Sequence, residues 1–293
     1  MGIGENDTEV NPFAVAAPRL PTLLELMGGD VPTLERPRTY GVGGRAFPLD
    51  ATLGVAGIPQ SGTGQAALLT GESVAEAYGR HFGPWTPVRL RPLVEERSLL
   101  RRAVDAGRTV AFANAYPRGW PGPRGGRRIA APPLAARAAG VLDRHEDALA
   151  AGTAVASEIL NDGWREHLGH SALPRVTAEE AGRNLARISE TSDLTLYAHY
   201  ATDTAGHTQV MGPAIGALER VDAFLRGVVA GLSADTLLLV ASDHGNLEDV
   251  RVGHTRNPSL GLARGPGVER AAALADLREV TPFVLEVLGV GPS

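Results

Sequence analysis

The feature that most constrains the fold of this 293-residue chain is an alternation of short apolar runs with amphipathic helical patterns. Three runs, partly β-branched, predict buried strands: Thr109–Asn114, Leu194–Tyr200 and Thr236–Ser242. Apolar residues at three- and four-residue spacing predict four helices: Val94–Ala106, Ala178–Ile188, Met211–Ala230 and Leu277–Leu288. Thr177, followed three residues later by Glu180, predicts a capping box at the start of the second helix. The alternation predicts an α/β protein.

One segment departs from this alternation. It opens with the run Pro117–Gly126, which is too rich in glycine and proline for a regular element, and short alanine-rich helical patterns follow. We therefore predict a small cap at residues 117–174, inserted into an α/β core made of residues 1–116 and 175–293.

Composition excludes several classes of function. The chain has no cysteine, which excludes disulfides, thiolate zinc sites, a cysteine nucleophile and a sulfatase nucleophile made from cysteine. The formal net charge of −5 gives no reason to expect nucleic acid or an anionic membrane as a partner. No apolar run approaches the roughly 18–20 residues of a membrane helix, and no secretory signal is visible. We expect a cytoplasmic protein whose oligomeric state the sequence does not indicate.

Three short segments carry side chains that bind metals. Two come directly after predicted strands, and the third lies in a turn ten residues further on. Their candidate ligands are Asp203 and His207, Asp243 and His244, and His254. A single Asp-His pair is common in helix caps and on surfaces, but five ligand-type residues at strand ends are not. Since strand ends converge on the ligand crevice of an open α/β sheet, we predict a divalent-metal site there.

A fourth segment carries a resemblance to a known family. The run Ser61–Gly71, Ser-Gly-Thr-Gly-Gln-Ala-Ala-Leu-Leu-Thr-Gly, resembles the nucleophile helix of the alkaline-phosphatase superfamily. The sulfatase members end this motif in Leu-Leu-Thr-Gly, and the mutase members place the nucleophile three residues before a glycine, here Gly64. Both alignments put the nucleophile at Ser61 rather than at Thr63. The alternative is that Ser61 only caps the helix, although a helix N-terminus also favours an incoming phosphate.

The three metal-binding segments extend this resemblance to the cofactor-independent phosphoglycerate mutases and the phosphopentomutases. Asp-Thr-Ala-Gly-His, Asp-His-Gly-Asn and His-Thr-Arg-Asn-Pro of this chain are similar to motifs of that branch. The resemblance implies a three-layer α/β/α core with a mostly parallel sheet, and two divalent ions (Mn, Zn or Mg). One ion would be bound by Asp203, His207 and His254. The other would be bound by Asp243, His244, Ser61 and an N-terminal aspartate.

The N-terminus departs from the family pattern. The family begins with a buried strand that ends in Asp-Gly, whereas this chain opens with Met-Gly-Ile-Gly, which is similar to the residues just after that Asp-Gly. We expect the natural start to lie upstream. If the start is genuine, Glu5 or Asp7 is left to substitute for the missing ligand.

Other departures concern the reaction. Gln65 stands where the mutases have histidine, and the chain contains no lysine, although the phosphoglycerate mutases use one. Thr63 and Gln65 also replace the proline and arginine of the sulfatase motif. Arg80 and His81, which follow the nucleophile helix, are candidates for substrate contact, with a surface or core role as the alternative.

The sequence thus predicts a metal-dependent phosphomutase-like enzyme or phosphatase. Its substrate would be a small phosphorylated metabolite, and its intermediate a phosphoserine at Ser61. One alternative is a phosphodiesterase or phosphonate hydrolase that uses the same metals. The other is a non-catalytic metal-binding remnant, which the missing aspartate favours.

Overall fold

The computed structural model describes residues 1–122, 126 and 128–291 of the chain. Two groups of strands form a mixed α/β structure with the helices. The strands are β1 (Thr39–Tyr40), β2 (Arg45–Leu49), β3 (Val110–Phe112), β4 (Leu194–Leu196), β5 (Leu238–Ala241) and β6 (Ser259–Arg264). One sheet has the order β1-β2-β6-β5, and β3 pairs with β4 in a second sheet.

The helices vary in length from a single turn to the 21 residues of α12. They are α1 (Pro12–Ala16), α2 (Pro21–Leu26), α3 (Ser61–Thr70), α4 (Val74–Tyr78), α5 (Arg91–Arg97), α6 (Leu99–Asp105), α7 (Ala131–Ala138), α8 (Glu146–Ala150), α9 (Asp162–Glu166), α10 (Ala178–Ser189), α11 (Ala201–His207), α12 (Met211–Gly231), α13 (Val268–Ala271) and α14 (Val280–Val287). Short 3₁₀ turns cover Ala17–Arg19, Val88–Leu90 and Leu277–Glu279. Among the described residues, no helix is both long and apolar enough to cross a membrane.

The predicted elements occur close to their expected positions. All three predicted strands are present, although each is shorter than its apolar run. The capping box at the start of α10 is confirmed, with both of its hydrogen bonds formed between Thr177 and Glu180. The helix predicted over Val94–Ala106 is broken at Ser98, whose extended backbone ends α5 and whose hydroxyl accepts the N–H of Arg101 to begin α6.

The prediction of a mostly parallel sheet is wrong for the main sheet. β6 pairs antiparallel with β2 on one side and with β5 on the other. Only β3 and β4 are parallel. The reason lies in the connection between β5 and β6, because residues 242–258 form turns without a helix. A parallel return needs a crossover, usually helical, and without one the chain comes back in the opposite direction.

Helices cover both faces of the strands. One hydrophobic cluster holds side chains of α1, α2, α10 and α12, and a second holds those of α3, α5, α6, α7 and α14. Along β5, Leu238 and Val240 pack against the first cluster, while Leu239 and Ala241 pack against the second. This two-residue alternation fixes which side of the sheet each strand side chain occupies.

The segment predicted as a cap contributes to three hydrophobic clusters, and Val155 and Ile159 belong to the first main one. Its helix α7 packs in the second main cluster, whereas Leu149, Ala154, Ala156, Trp164 and Leu173 form a small cluster of their own with Ala115. Of the turn-rich run at its start, residues 123–125 lie outside the described residues. The boundaries 117–174 remain a prediction.

β4 and β5 each have one edge that is not paired with a strand in the described part of the chain. All residues of 194–200 and 236–243 are half-buried, whereas five of the six residues of β6 are buried. The amino group of Met1 donates to Ser242 Oγ at 2.7 Å, so the amino terminus lies at the carboxyl end of β5. A strand that ran parallel to β5 and ended at Met1 would therefore lie along this open edge.

We expect that an added apolar strand ending in Asp-Gly directly before Met1 raises the melting temperature, the affinity for a second divalent ion and the turnover. The strand pairs open backbone groups, and its aspartate brings a carboxylate to the carboxyl end of β5. Thermal melting, Mn²⁺ titration and a phosphatase assay measure the three effects.

The matched control is the same strand ending in Asn-Gly, which should keep the gain in melting temperature and lose the gain in ion affinity. Equal melting temperatures and equal ion stoichiometry with and without the added strand would contradict the expectation. In that case another group, such as Glu5 or Asp7, already supplies the ligand.

Candidate metal centre

The helix α11 presents the first two candidate ligands. It follows β4 directly and contains Asp203 and His207, four residues apart. Because side chains four residues apart lie on the same face of a helix, both point to one side of α11. His207 Nε2 lies 3.4 Å from Asp203 Oδ2.

His254 completes a triangle of ligand atoms with this pair. Its Nε2 lies 3.1 Å from His207 Nε2 and 3.4 Å from Asp203 Oδ1. A tetrahedral ion with bonds of about 2.0–2.1 Å holds neighbouring ligand atoms about 3.3 Å apart. The separations of the three side chains are close to this value, with a different Asp203 oxygen facing each histidine. One ligand atom from each residue lies within 4.8 Å of the others, and their nitrogen and oxygen donors suit zinc or manganese.

Hydrogen bonds outside the triangle orient its ligands. His254 Nδ1 donates to the carbonyl of Pro59 at 3.0 Å, which leaves Nε2 directed at the triangle. The Asn246 amide donates to Asp203 Oδ1 at 2.6 Å and to the Asp203 carbonyl at 3.1 Å. Partners of this kind fix the tautomer of a histidine ligand and the rotamer of a carboxylate ligand.

The electrostatics of the site favour the ionised form of the Asp203 carboxylate. Burial disfavours the anion of Asp203, but the hydrogen bond with His254, the nearby His244 and the amide of Asn246 outweigh it and hold the pKa of Asp203 well below its ordinary value. Burial also disfavours the cation of His254, yet its hydrogen bond with Asp203 raises its pKa overall. Since a ligand histidine must be neutral, ion binding would displace that proton.

A second group of polar atoms adjoins the triangle. His244 Nε2 lies 3.8 Å from Asp203 Oδ1 and 3.6 Å from Asp243 Oδ2, and the rings of His244 and His254 have centroids 3.8 Å apart. Asp243 Oδ2 is buried with no hydrogen-bond partner among the described residues. Burying a carboxylate oxygen without a partner is costly, so its environment fits a cation. Burial lowers the pKa of His244.

Ser61 joins this second group. It is the first residue of α3, is buried, and its Oγ lies 2.8 Å from His244 Nε2. The N-cap residue of α3 is Gln60 and not Ser61, so the interpretation of Ser61 as a mere helix cap does not describe its position. Thr63, the rejected alternative, is fully buried and lies within hydrogen-bonding distance of the carbonyls of Gln60 and Phe82.

Arg80 and His81 make other contacts. The Arg80 guanidinium lies 5.9 Å from the ring centroid of Tyr78 and is exposed, and His81 Nε2 lies 3.3 Å from the carbonyl of Val55. Within the described part of the chain, neither side chain is hydrogen-bonded to Ser61 or to the metal ligands. Their role in substrate binding remains a prediction.

Sequence reasoning assigned no role to Asn246, although it lies within the Asp-His-Gly-Asn motif. Its side chain is completely buried and donates to Asp203 at Oδ1 and at the backbone carbonyl oxygen. The signal was present in the sequence as an amide directly after a candidate ligand pair. What was not visible is that this amide reaches a ligand 43 residues earlier in the chain.

Comparison with known proteins shows which family the carboxy-terminal part of the chain resembles. The model of the Metalloenzyme superfamily matches residues 170–291. This part of the chain, less than half of its length, is similar to that superfamily. It contains all five candidate ligands, whereas Ser61, Arg80 and His81 lie outside the matched range. The predicted resemblance to this metalloenzyme group is confirmed for the carboxy-terminal part.

The curated relatives are 2,3-bisphosphoglycerate-independent phosphoglycerate mutases. The mutase of Syntrophotalea carbinolica is 40% identical over 100 residues, which cover 30% of this chain and 19% of that protein. The mutase of Cereibacter sphaeroides is 34% identical over 130 residues, which cover 40% of this chain and 25% of that protein. The chain therefore spans about a fifth to a quarter of the length of these relatives.

Two solved structures align with lower sequence identity than these curated relatives. The PH0037 protein of Pyrococcus horikoshii aligns with a TM-score of 0.42 and 15% identity, over 65% of this chain and 45% of that one. The phosphoglycerate mutase of Leishmania mexicana, crystallised at low cobalt concentration, aligns with a TM-score of 0.32 and 22% identity, over 40% of this chain and 26% of that one.

We expect Asp203→Ala, His207→Ala and His254→Ala each to lower both the bound metal and the activity, because each removes one corner of the ligand triangle. Elemental analysis of the purified variants measures the metal. His167→Ala, which removes an exposed imidazole from the cap segment, serves as the control and should retain its metal. Unchanged metal content in all three triangle variants would show that these residues do not share an ion.

Proposed function

We propose that this protein is a metal-dependent phosphoryl-transfer enzyme that acts on a small phosphorylated metabolite through a phosphoserine at Ser61. The observation that carries the proposal is the position of one hydroxyl group. Ser61 Oγ lies at the first turn of α3, 2.8 Å from His244 Nε2, beside a group of five metal-type ligands. The similarity of residues 170–291 to the Metalloenzyme superfamily and the mutase relatives support the same reaction class.

The ligand set fits two divalent ions. Asp203, His207 and His254 would hold one, and Asp243 and His244 would hold the other together with Ser61. Bound ions would lower the pKa of the serine hydroxyl and neutralise the charge of the phosphoryl oxygens.

The residues of the chain itself orient the reacting groups. The Ser61 hydroxyl is positioned by its contact with His244, and it attacks phosphorus from the N-terminal end of α3. There the helix dipole and the first N–H groups favour the phosphate. The Ser61 hydroxyl loses its proton to solvent, and the new Oγ–P bond forms as the bond from phosphorus to the leaving oxygen breaks. The leaving oxygen takes up a proton from solvent. A second oxygen nucleophile then accepts the phosphoryl group and regenerates the serine.

The identity of that second nucleophile separates a phosphatase from a phosphomutase. The His207 side chain is 52% exposed, so water reaches the rim of the triangle. This exposure favours water as the acceptor, as in a phosphatase, whereas the relatives favour a substrate hydroxyl, as in a mutase. Assays of inorganic phosphate release and of sugar-phosphate isomerisation, run on the same phosphomonoesters, distinguish the two.

We expect Ser61→Ala to reduce turnover by at least about a thousandfold, because it removes the nucleophile. Metal content and melting temperature should stay close to those of the wild type, because the five aspartate and histidine ligands remain. Thr63→Ala is the matched control on the same helix and should be milder. Brief incubation with a ³²P-labelled phosphomonoester, followed by peptide mapping, should locate the label on Ser61.

Label on Thr63, or full turnover by Ser61→Ala, would overturn the assignment of the nucleophile. A wild-type protein that binds metal but neither turns over nor is labelled by phosphomonoesters, phosphodiesters or sugar phosphates would instead identify a non-catalytic metal-binding protein.

A further inference from the structure

Glu248 is a buried carboxylate outside the candidate metal centre. Glu248 is only 1% exposed and lies in the turn that follows β5. The carboxylate accepts hydrogen bonds from the N–H of Gly2 at 2.7 Å and of Asn246 at 2.8 Å, both through Oε2. The Thr255 hydroxyl donates to Oε1, and Asn257 Nδ2 adds a longer contact at 3.4 Å.

These donors belong to the segments that carry the metal ligands. Asn246 directs its own side chain at Asp203, with hydrogen bonds to the carboxylate and to the backbone. Its backbone N–H is the group held by Glu248. Glu248 therefore acts on the rotamer of Asp203, 45 positions earlier on α11, through a single intervening residue, Asn246.

A second connection leads to His254. Its neighbour Thr255 donates its hydroxyl to Glu248, and the Thr255 N–H donates to the carbonyl of Gly245 at 3.1 Å. Residues 254 and 255 are thus held against the turn that carries His244. This fixes the backbone from which His254 reaches the triangle.

A third connection leads to the amino terminus. Gly2 donates its N–H to Glu248, and the amino group of Met1, one residue earlier, donates to the carbonyl of His244 at 3.2 Å. The fit around the carboxylate is tight, since a Cβ added at Gly2 would lie 2.5 Å from Glu248 Cδ and one added at Gly245 would lie 2.3 Å from Oε1. Glycine is required at both positions for this close approach.

We propose that Glu248 is the positioning residue of the metal centre. By binding donors from three segments at once, it sets the mutual placement of Asp203, His244 and His254. In the described part of the chain, its carboxylate is not hydrogen-bonded to any of these three side chains. The inference rests on the candidate metal centre, and it assigns a role to a residue that neither the sequence motifs nor the ligand set include.

The test is a titration with Co²⁺, whose visible absorption reports both affinity and coordination geometry and requires no turnover. Glu248→Ala leaves several donors without a partner, and we expect its Co²⁺ affinity to fall by about 10–100-fold with an altered absorption spectrum. Thr255→Val removes one donor and should weaken binding less. Glu248→Gln should stay near the wild type, because its carbonyl accepts from Gly2 and Asn246 while its amide donates to the Thr255 hydroxyl.

The control for general destabilisation is Asp222→Ala. Asp222 is a carboxylate that is 3% exposed and accepts the N–H of Leu23 at 2.8 Å, where α12 meets α2. We expect this variant to melt earlier than the wild type and to bind Co²⁺ with unchanged affinity and spectrum.

Three results would overturn the proposal: unchanged Co²⁺ affinity and spectrum in Glu248→Ala, an equal loss of affinity in Asp222→Ala, or a Glu248→Gln variant as defective as the alanine variant. If Glu248→Ala does not fold, unchanged Co²⁺ binding by Thr255→Val overturns it. Wild-type protein that binds no Co²⁺ overturns the metal centre as well, whereas wild-type protein that binds Co²⁺ but lacks turnover counts only against the proposed enzymatic function.

Discussion

The structure depends on the convergence of two imidazole nitrogens and a carboxylate within 3.4 Å of one another. Such a group is poorly satisfied without a cation, because the lone pairs face each other and few donors reach them. The pKa of His254 is raised and that of Asp203 is lowered, so a proton on His254 that is hydrogen-bonded to Asp203 partly fills that role. The surrounding turns, the helix α11 and the antiparallel return from β5 to β6 hold the three atoms together.

Much of the site could be predicted from the sequence, because metal ligands are recognisable by residue type and follow strands. The structure brings Asp203, His207 and His254 together as predicted, with His244 beside them. What the sequence could not indicate is the hydrogen bonding that orients them. Asn246 and Glu248 act through atoms of distant segments, and a pattern of spacing along the chain contains no information about such contacts.

The fold was predictable to a lesser degree. Long periodic patterns, such as α10 and α12, were found with boundaries correct to about one residue, since an amphipathic face and a capping box are local signals. Strand direction is not local. The sequence of β6, Ser-Leu-Gly-Leu-Ala-Arg, was not identified as a strand, so its antiparallel pairing with both β2 and β5 went unpredicted. Short strands with glycine lack the periodicity on which such predictions depend.

The open edges of β4 and β5 have a consequence for the protein at high concentration. Their sequences, Leu-Thr-Leu and Leu-Leu-Val-Ala, contain no charge and no proline, which are the devices that usually block edge-to-edge association. Their backbone groups, which pair with no strand along these edges in the described residues, are a template for a strand of another molecule, whether or not that strand has a related sequence. Colloidal stability and the candidate metal centre are thus linked, because the carboxyl ends of both strands lead directly into the candidate ligands.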